Sequence, residues 1–142
     1  MAARKEDPLV SIKDSGFDIA EGSADVRGRD VFDPDGEQIG EVDDLLVDHA
    51  EGMVRMLCVK HGGFLGIGAD HFLLPVDAVT SVTADAVHID RARADLTQVP
   101  GYDPTVEEDD SQFEEVYGWW GYPTYWSPGY SYPAVYKDVP PY

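Results

Sequence analysis

By type, the residues best suited to chemistry are acidic. Asp33-x-Asp35-Gly36 is followed within one stretch by Glu37, Glu41, Asp43, Asp44 and Asp48. Such a run of oxygens could hold calcium, and two convergent carboxylates could divide the roles of general acid and base. The calcium reading fails on register. An EF-hand loop needs oxygen ligands at its first, third and fifth positions before the glycine, and a glutamate at its twelfth. Here the first position falls on Val31 and the twelfth on Val42. The acid–base reading fails on geometry, because neighbours on a strand point to opposite faces and Asp43 and Asp44 need not converge. A hairpin turn at Asp33–Gly36 and a solvated or bulged strand face at Asp43-Asp44 are the stronger readings.

Other chemistries find even less support. His49, His61, His71 and His88 fall at strand ends or mid-strand, without the i, i+4 pairing or short spacing that zinc sites favour. Cys58 lies in an apolar run, where a thiol acts as a small core hydrophobe; as the sole cysteine it forms no internal disulfide. There is no serine elbow and no P-loop, and Gly63-x-x-Gly66-x-Gly68 does not match a dinucleotide fingerprint. The expectation is a chain with no catalytic residues, no metal and no cofactor.

What stands out instead is aromatic. All eight tyrosines and all three tryptophans lie at or after Tyr102, with seven of the ten prolines at or after Pro100. Phe113, Val116, Tyr117 and Trp120 stand at i, i+3, i+4 and i+7, one face of a short helix that Gly121 would end. Thr105-x-x-Glu108 and Ser111-x-x-Glu114 are capping-box patterns at its start. Prolines at 123, 128 and 133 then impose extended or turn conformations. Burying one such ring is worth a few kcal/mol, at about 25 cal/mol per Å² over roughly 150–250 Å². The rings must therefore be covered, with Phe113, Tyr117, Trp119, Trp120, Tyr122, Tyr125, Trp126 and Tyr130 the expected anchors. Three destinations are open: the chain's own core, a second copy in a swapped or clasped homodimer, or a separate protein.

The elements that must position these rings divide into three zones. Residues 1–25 read as a flexible polar arm with Phe17 as its one sizeable anchor, in which Val10 and Ile12 alternate with polar residues and could pair as a short strand; 26–102 read as an aliphatic body, and 103–142 as an acidic, then aromatic and proline-rich tail. The body is a series of short strands separated by turns. Arg29–Phe32 leads through Asp33-Pro34-Asp35-Gly36 into a strand from Gln38 to His49, whose alternation slips at Asp43-Asp44. Gly40 permits close backbone approach there. Met53–Lys60 reads as a strand buried on both faces. His71–Pro75, Val79–Val82 and Ala86–Ile89 supply further strands, and Arg91–Gln98 one or two helical turns.

This body resembles the PRC-barrel domain, the β-barrel shared by the photosynthetic reaction-centre H subunit and RimM-type ribosome-maturation factors. The resemblance lies in Val31-Phe32-Asp33 through Gly36-Glu37-Gln38-Ile39-Gly40-Glu41-Val42-Asp43-Asp44-Leu45-Leu46. It continues through the strand at Val54–Val59, Gly62-Gly63-Phe64-Leu65-Gly66-Ile67-Gly68, Leu73-Leu74-Pro75-Val76, Val87-His88-Ile89 and Val99-Pro100-Gly101-Tyr102. It implies a mainly β fold, a small half-open or closed barrel of about six strands that acts as a protein-contact module, with no shared catalytic residue or cofactor. The short helix and tail are appended to it.

The expected function is that of a non-catalytic adaptor or assembly module, working through sheet edges and tail aromatics on a protein partner or a second copy. One alternative is a structural subunit of a membrane-associated or electron-transfer complex. Another is a ribosome-assembly factor that binds a ribosomal protein. A formal charge of −18 disfavours nucleic acid and anionic lipid. No apolar stretch approaches the 18 or so residues of a bilayer span, and the charged start does not read as a secretory signal. With a lone cysteine, these features favour a cytoplasmic protein.

Overall fold

The computed structural model describes residues 9–11, 26–48, 53–61, 71–102 and 110–133. The hairpin that opens the body is fixed by its turn chemistry. Strand β2 (Asp30–Phe32) runs into a turn in which the Gly36 N–H donates to the Asp33 carbonyl at 3.0 Å. Gly36 takes a φ of +84°, a conformation that costs glycine little. The chain returns as β3 (Gln38–Asp48), antiparallel to β2.

β3 is long, and it bends. Its pairing with β4 (Met53–Lys60) shifts between Val42 and Asp44 and again between Leu46 and Val47, so Asp43 stands out as a bulge. At Gly40, an added Cβ would lie 2.4 Å from the Lys60 carbonyl oxygen, so only glycine admits this backbone approach. One edge of β3 is shared by two strands. Residues 38–41 pair with β2, and residues 46–48 pair with β1 (Leu9–Ser11). The polar leader, expected as a flexible arm, thus contributes a strand where β2 has ended and left backbone groups to satisfy. Phe17 lies outside the described residues.

β4 continues antiparallel into β5 (His71–Pro75), and a single 3₁₀ turn at Val76–Ala78 leads to β6 (Val79–Val82). β7 (Ala86–Ile89) pairs with β6 and lies parallel to β2. A second 3₁₀ segment, Arg93–Gln98, precedes β8 (Gly101–Tyr102), which adds to β5. The strand order is β6-β7-β2-β3-β4-β5-β8. The six strands read from the sequence are joined by β1 and β8. Among the described residues the two ends do not meet, so the barrel is an open, curled sheet.

Val31, Ile39, Leu45, Met56, Leu57, Val59, Phe72 and Leu74 are fully buried in one continuous core. Cys58 lies within it, buried and in no disulfide. Helix α1 (Asp110–Trp120) joins that core through Phe113, Val116, Tyr117 and Trp120, the face its spacing predicts. The helix begins at Asp110, so Ser111 falls within its first turn and not before it. It ends in a Schellman arrangement: Tyr122 N–H donates to the Tyr117 carbonyl and Gly121 N–H to the Gly118 carbonyl, with Gly121 at φ +85°.

Candidate functional site

The aromatic tail lies across the part of the sheet where strand pairing gives out. β8 pairs only with His71 and Phe72, which leaves Leu73 without a strand on that side. The Trp120 indole N–H donates to the Leu73 carbonyl at 3.0 Å, and its ring stacks on Phe72 at 6.3 Å. The β4–β5 ladder starts at Met56 opposite Pro75, so Val54 has no β5 partner. The Tyr132 hydroxyl donates to the Val54 carbonyl at 2.7 Å. Two tail side chains thus satisfy backbone acceptors near a sheet edge, which would otherwise invite another strand.

Two arginines fasten the tail. Arg91, just after β7, donates to the Trp120 carbonyl at 2.7 Å, a cation at the negative end of α1. Its guanidinium also sits 4.8 Å from the Trp119 ring and 5.2 Å from Trp120. Beside it, the Tyr122 hydroxyl donates to Asp90. Arg55 is 5% exposed in the middle of β4 and ion-paired with Asp48 at 3.2 Å. Three tyrosine rings surround its guanidinium: Tyr125 at 4.5 Å, Tyr132 at 5.5 Å and Tyr130 at 5.9 Å. Tyr125 and Trp126 meet edge-on, and both contact Tyr117.

Asp77 lies on the 3₁₀ turn after β5, within electrostatic reach of Arg55 and Tyr130. Its Oδ1 and the Tyr117 and Tyr130 hydroxyl oxygens are buried without a hydrogen-bond partner among the described residues. Tyr130 lies close enough to act on the Asp77 carboxyl, although the pair falls short of hydrogen-bond geometry. Burial raises Asp77 above its ordinary 3.8, against the opposing pull of Tyr130 and the Arg55 guanidinium. Burial likewise pushes Tyr117, Tyr130 and Tyr132 above the usual phenol range, and Asp77 adds to each shift. Tyr122 is pushed up to about 12 by burial and by its hydrogen bond to Asp90.

The expected anchors therefore separate into two groups. Phe113, Tyr117, Trp120 and Tyr125 are no more than 6% exposed and packed into the chain's own core. Trp119, Tyr122, Trp126 and Tyr130 are half-buried, each packed against that core with part of its ring still at the surface. Within the single chain, the described part of the tail packs on the chain's own sheet. Neither Arg55 nor Arg91 was singled out by sequence reasoning. Arg55 did leave a signal: a charge inside the apolar run Met53–Val59 needs a buried partner.

Among the described residues, the acidic side chains from Asp33 to Asp48 go to separate partners. Asp33 accepts from the Asp35 and Glu37 N–H groups through Oδ1 and from the Arg93 N–H through Oδ2, fastening the hairpin to the second 3₁₀ segment. Burial works to raise its carboxyl, but these backbone donors prevail and hold it below its ordinary value. Asp43 turns to His71 at 3.2 Å, Asp44 accepts from Ser11 on β1, and Asp48 holds Arg55. His61 stacks on Phe72 and His88 on Phe32; His49 lies outside the described residues. Among the described residues, no group of three His, Cys, Asp or Glu side chains is placed to hold a metal ion. A cleft of about 740 Å³ opens beside Gly40, lined by Glu37, Gln38, Glu41, Lys60, His61 and Arg93. Its charges are mixed, and Glu37 and Arg93 bridge at 3.3 Å. No described helix is long and apolar enough to cross a membrane.

No curated protein matches the chain in sequence. The sequence pattern of the PRC-barrel domain matches residues 18–96, more than half of the chain and the part that forms the curled sheet from β2 to the second 3₁₀ segment. The chain belongs to the PRC-barrel domain family.

Proposed function

We propose that the protein is a non-catalytic adaptor or assembly module, with the tail as part of the barrel and its half-buried rings as the contact surface. The observation that carries this reading is the division of the anchors. Trp119, Tyr122, Trp126 and Tyr130 keep part of their surface in water while Phe113, Tyr117, Trp120 and Tyr125, beneath them, are buried. Rings held in place lose little entropy when a partner covers them, and tryptophan and tyrosine dominate interface energetics for that reason. The formal charge of −18 favours a basic protein surface over nucleic acid or anionic lipid. It also works against a second copy, since two such molecules repel.

The test is affinity capture by the full chain against a triple variant, Trp119→Ser, Tyr122→Ser and Trp126→Ser, whose folding is checked by the near-ultraviolet signal of Trp120. The expected outcome is that wild type retains discrete basic proteins, released by salt, and that the folded triple variant loses them. Identical capture by both chains would overturn the reading.

A further inference from the structure

Helix α1 carries a glycine that the chain itself does not explain. Gly118 is exposed, on the side of the helix turned away from Phe113, Val116, Tyr117 and Trp120. Its φ is not positive, unlike that of Gly121, which ends the helix. A Cβ added at Gly118 would meet nothing within 4 Å among the described residues. Neither backbone conformation nor packing within the described chain therefore calls for glycine. Inside a helix, glycine is nonetheless less stable than alanine, because it gives up more conformational freedom on folding. What it supplies is access. The distance between two packed helices is set by the side chains at their crossing, and glycine lets the backbones come close.

The residues around Gly118 indicate what would approach. Glu114 and Glu115, at i−4 and i−3, are its neighbours on the helix surface. Both are exposed, and neither makes a hydrogen bond or ion pair among the described residues. Trp119 stands beside them and Tyr122 just past the helix end, both half-buried. Arg91 already lies 4.8 Å from the Trp119 ring, so a guanidinium suits this surface. We infer that the outer face of α1 seats a basic α-helix of a partner protein. That helix crosses at Gly118, sets lysine or arginine against Glu114 and Glu115, and lays their stems on Trp119 and Tyr122. A helix fits better than an extended segment, because it satisfies its own backbone hydrogen bonds and α1 offers a strand no ladder. The inference rests on the adaptor reading above and names the element of the partner that the surface receives.

The experiment uses the full chain. The probe is an alanine-based helical peptide with arginines at i, i+4 spacing, titrated while tryptophan fluorescence is followed. Wild type should bind it, with an affinity that falls as salt rises. Gly118→Ala should raise the thermal midpoint, since alanine favours the helix. It should yet weaken the peptide roughly fivefold or more, by overpacking the crossing. Glu114→Gln with Glu115→Gln should lose most of the salt dependence. Equal affinity of wild type and Gly118→Ala, equal binding of a proline-interrupted peptide of the same charge, or no binding of the arginine peptide would each overturn the inference. So would self-association of wild type that Gly118→Ala abolishes, which would assign the face to a second copy. Affinity capture separates this inference from the adaptor reading. If the triple variant at Trp119, Tyr122 and Trp126 loses the captured proteins while Gly118→Ala retains them, the contact surface stands and the helix seat falls.

Discussion

Single side chains carry unusual weight in this small domain, and two of them are charged. Asp33 answers three backbone N–H groups from two segments of the chain. Replacing it with alanine strands those donors, and the expected cost is roughly 3 kcal/mol by chemical denaturation. Its folded carboxyl is held below the ordinary 3.8, so it stabilises the fold above that pH. That contribution fades as pH falls through the depressed value, and an acid-unfolding curve of Asp33→Asn should lack this component. Arg55 makes a second case. Arg55→Ala removes the buried guanidinium that pairs with Asp48, at a cost of about 3–5 kcal/mol. Arg55→Met with Asp48→Asn keeps volume and removes both charges, and should recover most of the loss in the same denaturation assay. What the sequence shows at this scale follows from locality. The Asp33–Gly36 turn is readable because proline and glycine act on their own φ angles. The tyrosine rings around Arg55 lie about 70 or more positions along the chain, and no spacing rule reaches that far.

Among the elements, α1 is the one that completes the sheet. Its buried face was legible, since a 3.6-residue period alone selects Phe113, Val116, Tyr117 and Trp120. Which surface that face would meet was not, because amphipathicity says that a stripe is covered without saying by what. The structure answers through Trp120, which combines ring packing on Phe72 with a hydrogen bond to Leu73. Trp120→Ala should cost about 3–5 kcal/mol and raise tryptophan quenching of the remaining tail. Trp120→Phe keeps the packing and loses the donor, so it should cost less. The strands tell a similar story: turns and apolar runs located six of them. β1 falls where Val10 and Ile12 alternate with polar residues, whereas β8, at two residues, is too short to show a period.

At the scale of the whole molecule, an acidic chain buries a layer of neutral phenols against its own sheet. Tyr117, Tyr130 and Tyr132 all titrate above the usual value in the folded state, chiefly through burial. A raised folded pKa stabilises the protein fully below pH 10, about where unfolded tyrosines begin to ionise. That stability drains away as pH climbs further, at about 1.4 kcal/mol per pH unit for a residue as buried as Tyr117. Thermal unfolding should therefore show a steep alkaline fall in midpoint, and Tyr117→Phe should flatten it. The family match covers residues 18–96 and with them most of the sheet, while the tail that carries the contact surface we propose lies outside that match.

The central claim is that the late rings belong to the same molecule's fold. Isotope-filtered NOE spectra on an equimolar mixture of labelled and unlabelled chains separate contacts within one copy from contacts between copies. Strong cross-peaks from the Trp120 indole to Phe72 and Leu73 are expected within a single chain, together with a monomeric mass. The same cross-peaks arising only between chains, or no contact of Trp120 with the sheet at all, would contradict it.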